Sequence, residues 1–223
     1  MAIPITTSGC GAASGAAFLE DSIIAVNGFD CTISNVTNGC IYNTVRPYGF
    51  ISTSKNCILA TQGTCSNKLY IIDSCFNEID GICLPNIGGP LLSAYLMCNG
   101  KILLTYRKAI VIANTDGSTG GIVANSNCES TDFISAIPNN KGLILAFNDG
   151  YRDTIQYRDC NGTISNCVLP SCVSIKSFAQ SYDCTVYGLF AKGYPYRYLI
   201  PVLVDGVLNC VSESCFGTNL CCS

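Results

Sequence analysis

Short apolar runs recur along the whole chain, each broken within a few positions by Gly, Asn or Asp. No segment has the i, i+3, i+4 apolar spacing of an amphipathic helix. No apolar run reaches the ~18–20 residues that a membrane-spanning helix needs; the stretch Tyr198 to Val204 is short and carries Pro201. The pattern therefore predicts many short strands joined by tight turns. Several of the turns have a regular form. Asp80-Gly-Ile-Cys83, Asn161-Gly-Thr-Ile-Ser-Asn-Cys167 and Asp205-Gly-Val-Leu-Asn-Cys210 each follow a β-rich run. Asp-Gly and Asn-Gly in that position are hairpin signals, because a type I′ turn needs positive φ at both central residues.

The turns are periodic. Cys40, Cys83, Cys128, Cys167 and Cys210 close successive phrases at spacings of 43, 45, 39 and 43 residues. The runs ahead of the turn phrases are Ser22–Val26, Leu69–Asp73, Ala109–Ala113, Thr154–Arg158 and Leu199–Val204. Two further runs lie upstream of each. Phe50-Ile-Ser, Leu92-Ser-Ala, Phe133-Ile-Ser-Ala and Val173-Ser-Ile mark the first; Ile58-Leu-Ala, Ile102-Leu-Leu, Leu143-Ile-Leu-Ala and Val186-Tyr-Gly-Leu mark the second. In the first unit, Ile5-Thr-Thr and Ala16-Ala-Phe-Leu19 are assigned to these places. Four strands per unit at this period is the mark of a propeller blade. The expected fold is all-β: a five-bladed β-propeller of four antiparallel strands and about 43 residues per blade. The units run over residues 1–42, 43–86, 87–129, 130–170 and 171–212, with a Cys-rich tail at 213–223.

Composition narrows the chemistry. The 223 residues include 17 Cys but no His and no Trp. Catalysis by Ser-His-Asp or Cys-His is excluded, as are His-bearing zinc sites. There is no Cys-x-x-Cys, so a metal role for the cysteines is not expected, and no cofactor is implied. The acidic residues Asp80, Asp116, Asp149, Asp159 and Asp205 fall in turns, where turn chemistry accounts for them without catalysis. The expectation is a non-enzymatic protein. A net charge of −3 argues against nucleic acid and against a polybasic membrane patch.

Dense cysteine implies disulfides and an oxidising compartment. Met1–Cys10 has neither a basic n-region nor an apolar core, so no uncleaved signal peptide is expected. Either a signal was removed or the chain is oxidised after release from a cytoplasm. Cys10, Cys57, Cys98 and Cys184 are read as preceding each unit's second strand. Cys31, Cys75 and Cys160 are read as lying in the hairpin between its third and fourth. Matching absences suggest inter-blade disulfides Cys31–Cys57, Cys75–Cys98 and Cys160–Cys184. Seventeen is odd, so at least one thiol is free or bonded to another molecule. Cys10, Cys215, Cys221 and Cys222 are the candidates for closing the ring or crosslinking subunits.

The repeat resembles five-bladed propellers, of which tachylectin-like lectins are one group. That resemblance implies a carbohydrate-binding module with glycans as partners. Separately, the segments Asp149-Gly-Tyr-Arg-Asp153 and Gly193-Tyr-Pro-Tyr-Arg-Tyr198 follow second strands of successive units. Tyr151, Arg152, Tyr194, Tyr196 and Arg197 are the candidate ligand or interface residues, since sugars stack on aromatic faces and exposed Tyr suits interfaces. In character the chain also resembles cysteine-rich spore coat and appendage proteins of bacteria, some of which carry terminal Cys-Cys. With charged residues at only 12% and a mean hydropathy of +0.35, a lone monomer is expected to be poorly soluble. The leading expectation is a self-assembling subunit of a disulfide-crosslinked extracellular layer or filament, with its own copies as partner. A virion surface protein is the third reading.

Overall fold

The computed structural model describes residues 2–7, 11–54, 57–62, 67–126 and 130–216. Its first strand, β1 (Ile3–Ile5), belongs to the last sheet rather than the first. Blade I comprises β2 (Gly15–Leu19), β3 (Ser22–Val26), β4 (Thr32–Asn35) and β5 (Ile41–Asn43). Blade II comprises β6 (Phe50–Ser54), β7 (Cys57–Thr61), β8 (Lys68–Ile72) and β9 (Glu78–Cys83). Blade III comprises β10 (Leu91–Leu96), β11 (Ile102–Tyr106), β12 (Ala109–Ala113) and β13 (Thr119–Asn125). Blade IV comprises β14 (Asp132–Asn139), β15 (Gly142–Asn148), β16 (Asp153–Asp159) and β17 (Ile164–Val168). Blade V comprises β18 (Ser174–Gln180), β19 (Val186–Ala191) and β20 (Arg197–Val204). Its outermost place is shared by β21 (Val207–Leu208) and β1.

The innermost strands β2, β6, β10, β14 and β18 pack side by side around an axis, with β18 returning to β2. The chain is a five-bladed β-propeller. Burial falls with distance from that axis, which explains the sequence pattern. In blade III all five residues of β11 are buried, whereas β13 has none and exposes its first four. Inner strands lie between neighbouring sheets on both faces and read as continuous apolar runs; outer strands read as polar ones.

The first unit departs from the sequence reading by one strand. Ile5-Thr-Thr does not open blade I; Ile3–Ile5 pairs with β20 in the register Ile3↔Leu199, Pro4↔Tyr198 and Ile5↔Arg197. Ala16–Leu19 lies in blade I's innermost strand, and Ser22–Val26 is its second strand rather than its third. The physical reason is ring closure. Sheets arranged in a circle leave the first and last blades joined only by side-chain packing. A strand from the N-terminal end paired into the last blade adds backbone hydrogen bonds across that seam. Arg197 reinforces it, donating from Nε to the Ala13 carbonyl at 3.1 Å.

Near the axis the strands converge, and small or hydroxyl-bearing residues carry the contacts. A Cβ on Gly15 would lie 2.9 Å from the Phe50 Cα, so β2 approaches β6 only because this residue is glycine. Ser52 donates to the Ala94 carbonyl at 2.6 Å, and Thr53 to the Phe18 carbonyl at 2.6 Å, stitching blade II to both neighbours. Between blades IV and V the buried Asp153 carboxylate accepts the Ile175 amide at 3.0 Å. The channel itself is plugged. Tyr95 of blade III is buried, and its hydroxyl donates across the axis to the Phe178 carbonyl of blade V. Its ring meets Phe50 of blade II edge-on, with centroids 5.3 Å apart. Burial pushes the Tyr95 hydroxyl far above the ordinary tyrosine range, so it serves as a neutral donor.

Tyr95→Phe removes the buried hydrogen bond to the Phe178 carbonyl together with the hydroxyl's bond to the Ser135 side chain. A loss of about 1–2 kcal/mol is expected, a fall of a few degrees in Tm by calorimetry of the reduced protein. Ile5→Asp places a charge in the seam and is expected to cost about 3 kcal/mol or more. An unchanged Tm for Ile5→Asp would mean that β1 does not hold the ring closed.

Candidate functional site

The alternation of strands sorts the loops onto two faces. Loops joining a blade's second and third strands, and those linking one blade to the next, emerge on the upper face. Loops joining the first and second strands, and the third and fourth, emerge below. A cavity of about 570 Å³ opens at the centre of the upper face and takes residues from all five blades. Phe50 contributes to its wall, the same ring that meets the Tyr95 plug.

Part of this wall has a common origin. In β10, β14 and β18 the pairing register shifts by one residue, skipping Leu92, Ile134 and Lys176. These are β-bulges, one extra residue each, and all three bulged residues line the cavity. In β2 and β6 the corresponding pairing is unbroken. The cavity is therefore asymmetric: three bulged blades add side chains and two regular blades leave room. The rim carries Arg107, whose Nε lies 2.8 Å from Asp132, and the same carboxylate takes Lys108 at 2.7 Å. The two cations hold the Asp132 carboxyl below the usual range. Lys176 stays exposed at the mouth, yet partial desolvation and the charge of Arg197 hold its ammonium below the usual lysine range, with Asp153 opposing.

The aromatic loops expected to form a ligand patch are not brought together in one cavity. Tyr151 and Arg152 lie in the β15–β16 loop of the upper face, where the Asp149 carboxylate accepts both of their backbone amides at 3.0 Å. Tyr194, Tyr196 and Arg197 lie in or at the end of the β19–β20 loop. They line a separate cavity of about 310 Å³ with the segment around Ile5 and Ala13. Arg197 is held there by the ring seam, and Tyr194 faces Phe29 and Asp30 of blade I across a further hollow. The turn reading of the acidic residues fits four of the five. Asp116, Asp149 and Asp159 accept hydrogen bonds from backbone amides of their own turns. Asp205, at a φ of 52°, opens the turn between β20 and β21, whereas Asp80 lies within β9 opposite Ile71. No cluster of three potential metal ligands occurs among the described residues.

The expected inter-blade disulfides are not formed. Cys31, Cys57, Cys75, Cys98, Cys160 and Cys184 are all free thiols. Cys31 precedes β4 on the upper face, whereas Cys57 opens β7 on the lower, so the one-strand shift in blade I separates that pair by the height of a blade. Cys75 with Cys98, and Cys160 with Cys184, do share the lower face. However, one of each pair sits between the two outermost strands and the other between the two innermost. Two strand spacings is about 10 Å, beyond the ~4.4–6.8 Å between Cα atoms that a disulfide requires. Of the repeat-marking residues, Cys40 and Cys83 are exposed and free.

A contact that the repeat spacing did not reveal joins Cys167, buried in β17, to the side chain of Cys210 just beyond β21, with Cys215 nearby. Sequence treated Cys167 and Cys210 as equivalent markers of different blades; they meet because β17 and β21 are outer strands of adjacent blades. Burial, with the Cys210 contact, pushes the Cys167 thiol up to about 12. Cys215 is half-buried in a short 3₁₀ turn, Glu213–Phe216. Cys172 is disulfide-bonded. Cys10, Cys65, Cys128, Cys221 and Cys222 lie outside the described residues, and with them the expected bond from Cys10 to the tail.

No protein-family model matches the chain, and no curated protein matches it. Solved structures do. A streptogramin B lyase is 16% identical at a TM-score of 0.52, over 84% of this chain and 64% of its own. The glutaminyl cyclase of Myxococcus xanthus is 10% identical at 0.58, over 89% and 95%. The WD40 propeller domain of Doa1 is 11% identical at 0.54, over 89% and 85%. At these identities the likeness is one of fold: this chain has the propeller architecture and spans under two thirds of the streptogramin B lyase.

Alkylation of the native, reduced protein with iodoacetamide, followed by peptide mapping, checks the thiol assignments. The exposed cysteines are expected to label readily, and Cys167 at least about a hundredfold more slowly until the protein is unfolded. Recovery of Cys75 joined to Cys98 in the untreated monomer would restore the inter-blade bonds.

Proposed function

We propose that the chain is a structural subunit that self-assembles into a disulfide-crosslinked extracellular layer or filament, as on a spore or virion surface. The observation that carries this reading is the set of exposed free thiols Cys31, Cys40, Cys75, Cys83, Cys98, Cys160, Cys184 and Cys210. Thiols left unpaired within the fold and open to solvent form bonds between molecules once the surroundings are oxidising.

The outer strands favour the same reading. Ile41, Ile79, Ile122, Ile164 and Val207, one from each blade, are 55–62% exposed. Soluble β-proteins usually protect edge strands with charge, but β5, β13, β17 and β21 carry none; only β9, with Glu78 and Asp80, does. An uncharged, β-branched edge on nearly every blade suits lateral packing of copies. With no histidine in the chain, histidine-dependent catalysis is excluded by composition. A tachylectin-like carbohydrate-binding propeller is the second reading, supported by the exposed Tyr194 and Tyr196 beside their cavity.

Electrophoresis without reductant tests the proposal. Protein oxidised with glutathione disulfide is expected to run as a ladder or remain in the well, and to collapse to 23.6 kDa with reductant. Replacing the lower-face residues Cys40, Cys75, Cys98, Cys160 and Cys184 by Ser is expected to shorten the ladder. A wild-type protein that stays monomeric through oxidation would overturn it, and a glycan array would then decide the second reading.

A further inference from the structure

The upper cavity is not used by the assembly reading, and its polar groups are unequally committed. The Asn27 side-chain oxygen accepts the amides of Phe29 and Asp30, both at 2.9 Å, and its nitrogen donates to Asp30. Asn148 donates to Asp153 and accepts the Gly150 amide. Gln62 accepts from the Tyr70 hydroxyl at 3.1 Å. Asp132 is taken by Arg107 and Lys108 together. Lys176, by contrast, forms no salt bridge and no hydrogen bond among the described residues, and it lines the cavity. What the cavity offers a ligand is thus one uncommitted cation in a setting of Phe50, Leu92, Phe133 and Ile134.

This arrangement discriminates between ligand classes. A sugar presents many hydroxyls and needs several free donors and acceptors to replace its water; the Asn27 and Asn148 amides are largely spent within their own turns. A cation meets Lys176 and Arg107 in the lining, against the Asp132 carboxylate that Arg107 and Lys108 already neutralise and the buried Asp153 carboxylate that acts on Lys176 from behind the wall. An anion with an apolar body satisfies both halves of the site. Its charge pairs with the ammonium where the walls partly exclude water, and its body covers apolar side chains. The volume falls in the range of small-molecule sites. Lys176 is itself a bulge residue, the equivalent of Leu92 and Ile134. Bulges recur where a side chain is re-aimed at a binding site.

We propose that the upper mouth of the propeller binds a small organic monoanion with a flat apolar body, such as an aryl carboxylate. The carboxylate pairs with Lys176 and the ring packs on Phe50, Leu92, Phe133 and Ile134.

Calorimetric titration of the reduced, monomeric protein with 2-naphthoate tests this, with 2-naphthylmethanol as the neutral counterpart. One equivalent of 2-naphthoate is expected to bind, the alcohol at least about tenfold more weakly for want of the charge-assisted bond. Lys176→Met is expected to erase that difference and Lys176→Arg to keep it, with circular dichroism of both variants matching wild type. The alcohol comparison in wild type needs no variant and stands even if Lys176→Met misfolds. Equal binding of acid and alcohol would overturn the proposal. So would no binding of 2-naphthoate at concentrations on the order of 1 mM.

Discussion

Closure of the ring is the constraint on which the rest of this molecule depends. Five four-stranded sheets cannot each bury two faces unless every sheet has a neighbour on both sides, and the first and last become neighbours only when the circle is complete. The antiparallel pairing of Ile3–Ile5 with Arg197–Leu199 makes that junction with backbone hydrogen bonds. Its consequences run through the structure. It takes Ile3–Ile5 out of blade I, so that each strand of that blade sits one place nearer the axis than the repeat spacing assigns it. It holds Arg197 in the seam and turns the Tyr194–Tyr196 loop toward blade I rather than toward Tyr151. It also brings β18 against β2, so that Tyr95 reaches across a closed axis to a blade that is not its neighbour.

The cysteines take their meaning from the same geometry. A propeller supports itself by packing between sheets, and the free state of the described thiols other than Cys172 accords with a fold that does not rely on internal bonds for its shape. What the thiols offer lies outward, on loops and outer strands that are low in charge. Cys167 is the exception: buried, raised in pKa and in contact with Cys210, it behaves as part of the core between blades IV and V.

The fold was legible because blade period and strand count are properties of the chain itself. Asn161-Gly and Asp205-Gly specify turns through local backbone preference. Asp80-Gly, read as a turn in the sequence, lies instead inside β9 opposite Ile71 and Tyr70. The turn ahead of it is built on Asp73, whose carboxylate accepts the Cys75 and Asn77 amides. Inner strands such as Ile102-Leu-Leu are apolar because both faces are covered. Ile5-Thr-Thr does not open blade I because Ile3–Ile5 pairs with a partner nearly two hundred positions away, and no local pattern announces such a contact. The disulfide pairing failed for a related reason. The indexing of Cys31 inherited the shift in blade I, and the remaining pairs matched in sequence register while differing in radius.

The candidate site was less legible. Tyr151, Arg152, Tyr194, Tyr196 and Arg197 were rightly placed in loops after second strands, yet adjacency of blades does not make adjacent loops converge. The upper cavity left only a faint trace, the recurring hydrophobic- or Lys-Ser step at Leu92-Ser93, Ile134-Ser135 and Lys176-Ser177, which marks the three bulges. By itself the sequence determined the class, the repeat, the turns and the absence of histidine chemistry, since these follow from local propensity, periodicity and composition. Only the tertiary structure decided which strand closes the ring, which thiols face solvent, and which cation is left uncommitted at the axis. Those depend on contacts between residues far apart in the chain and on distance from an axis that the sequence does not encode position by position.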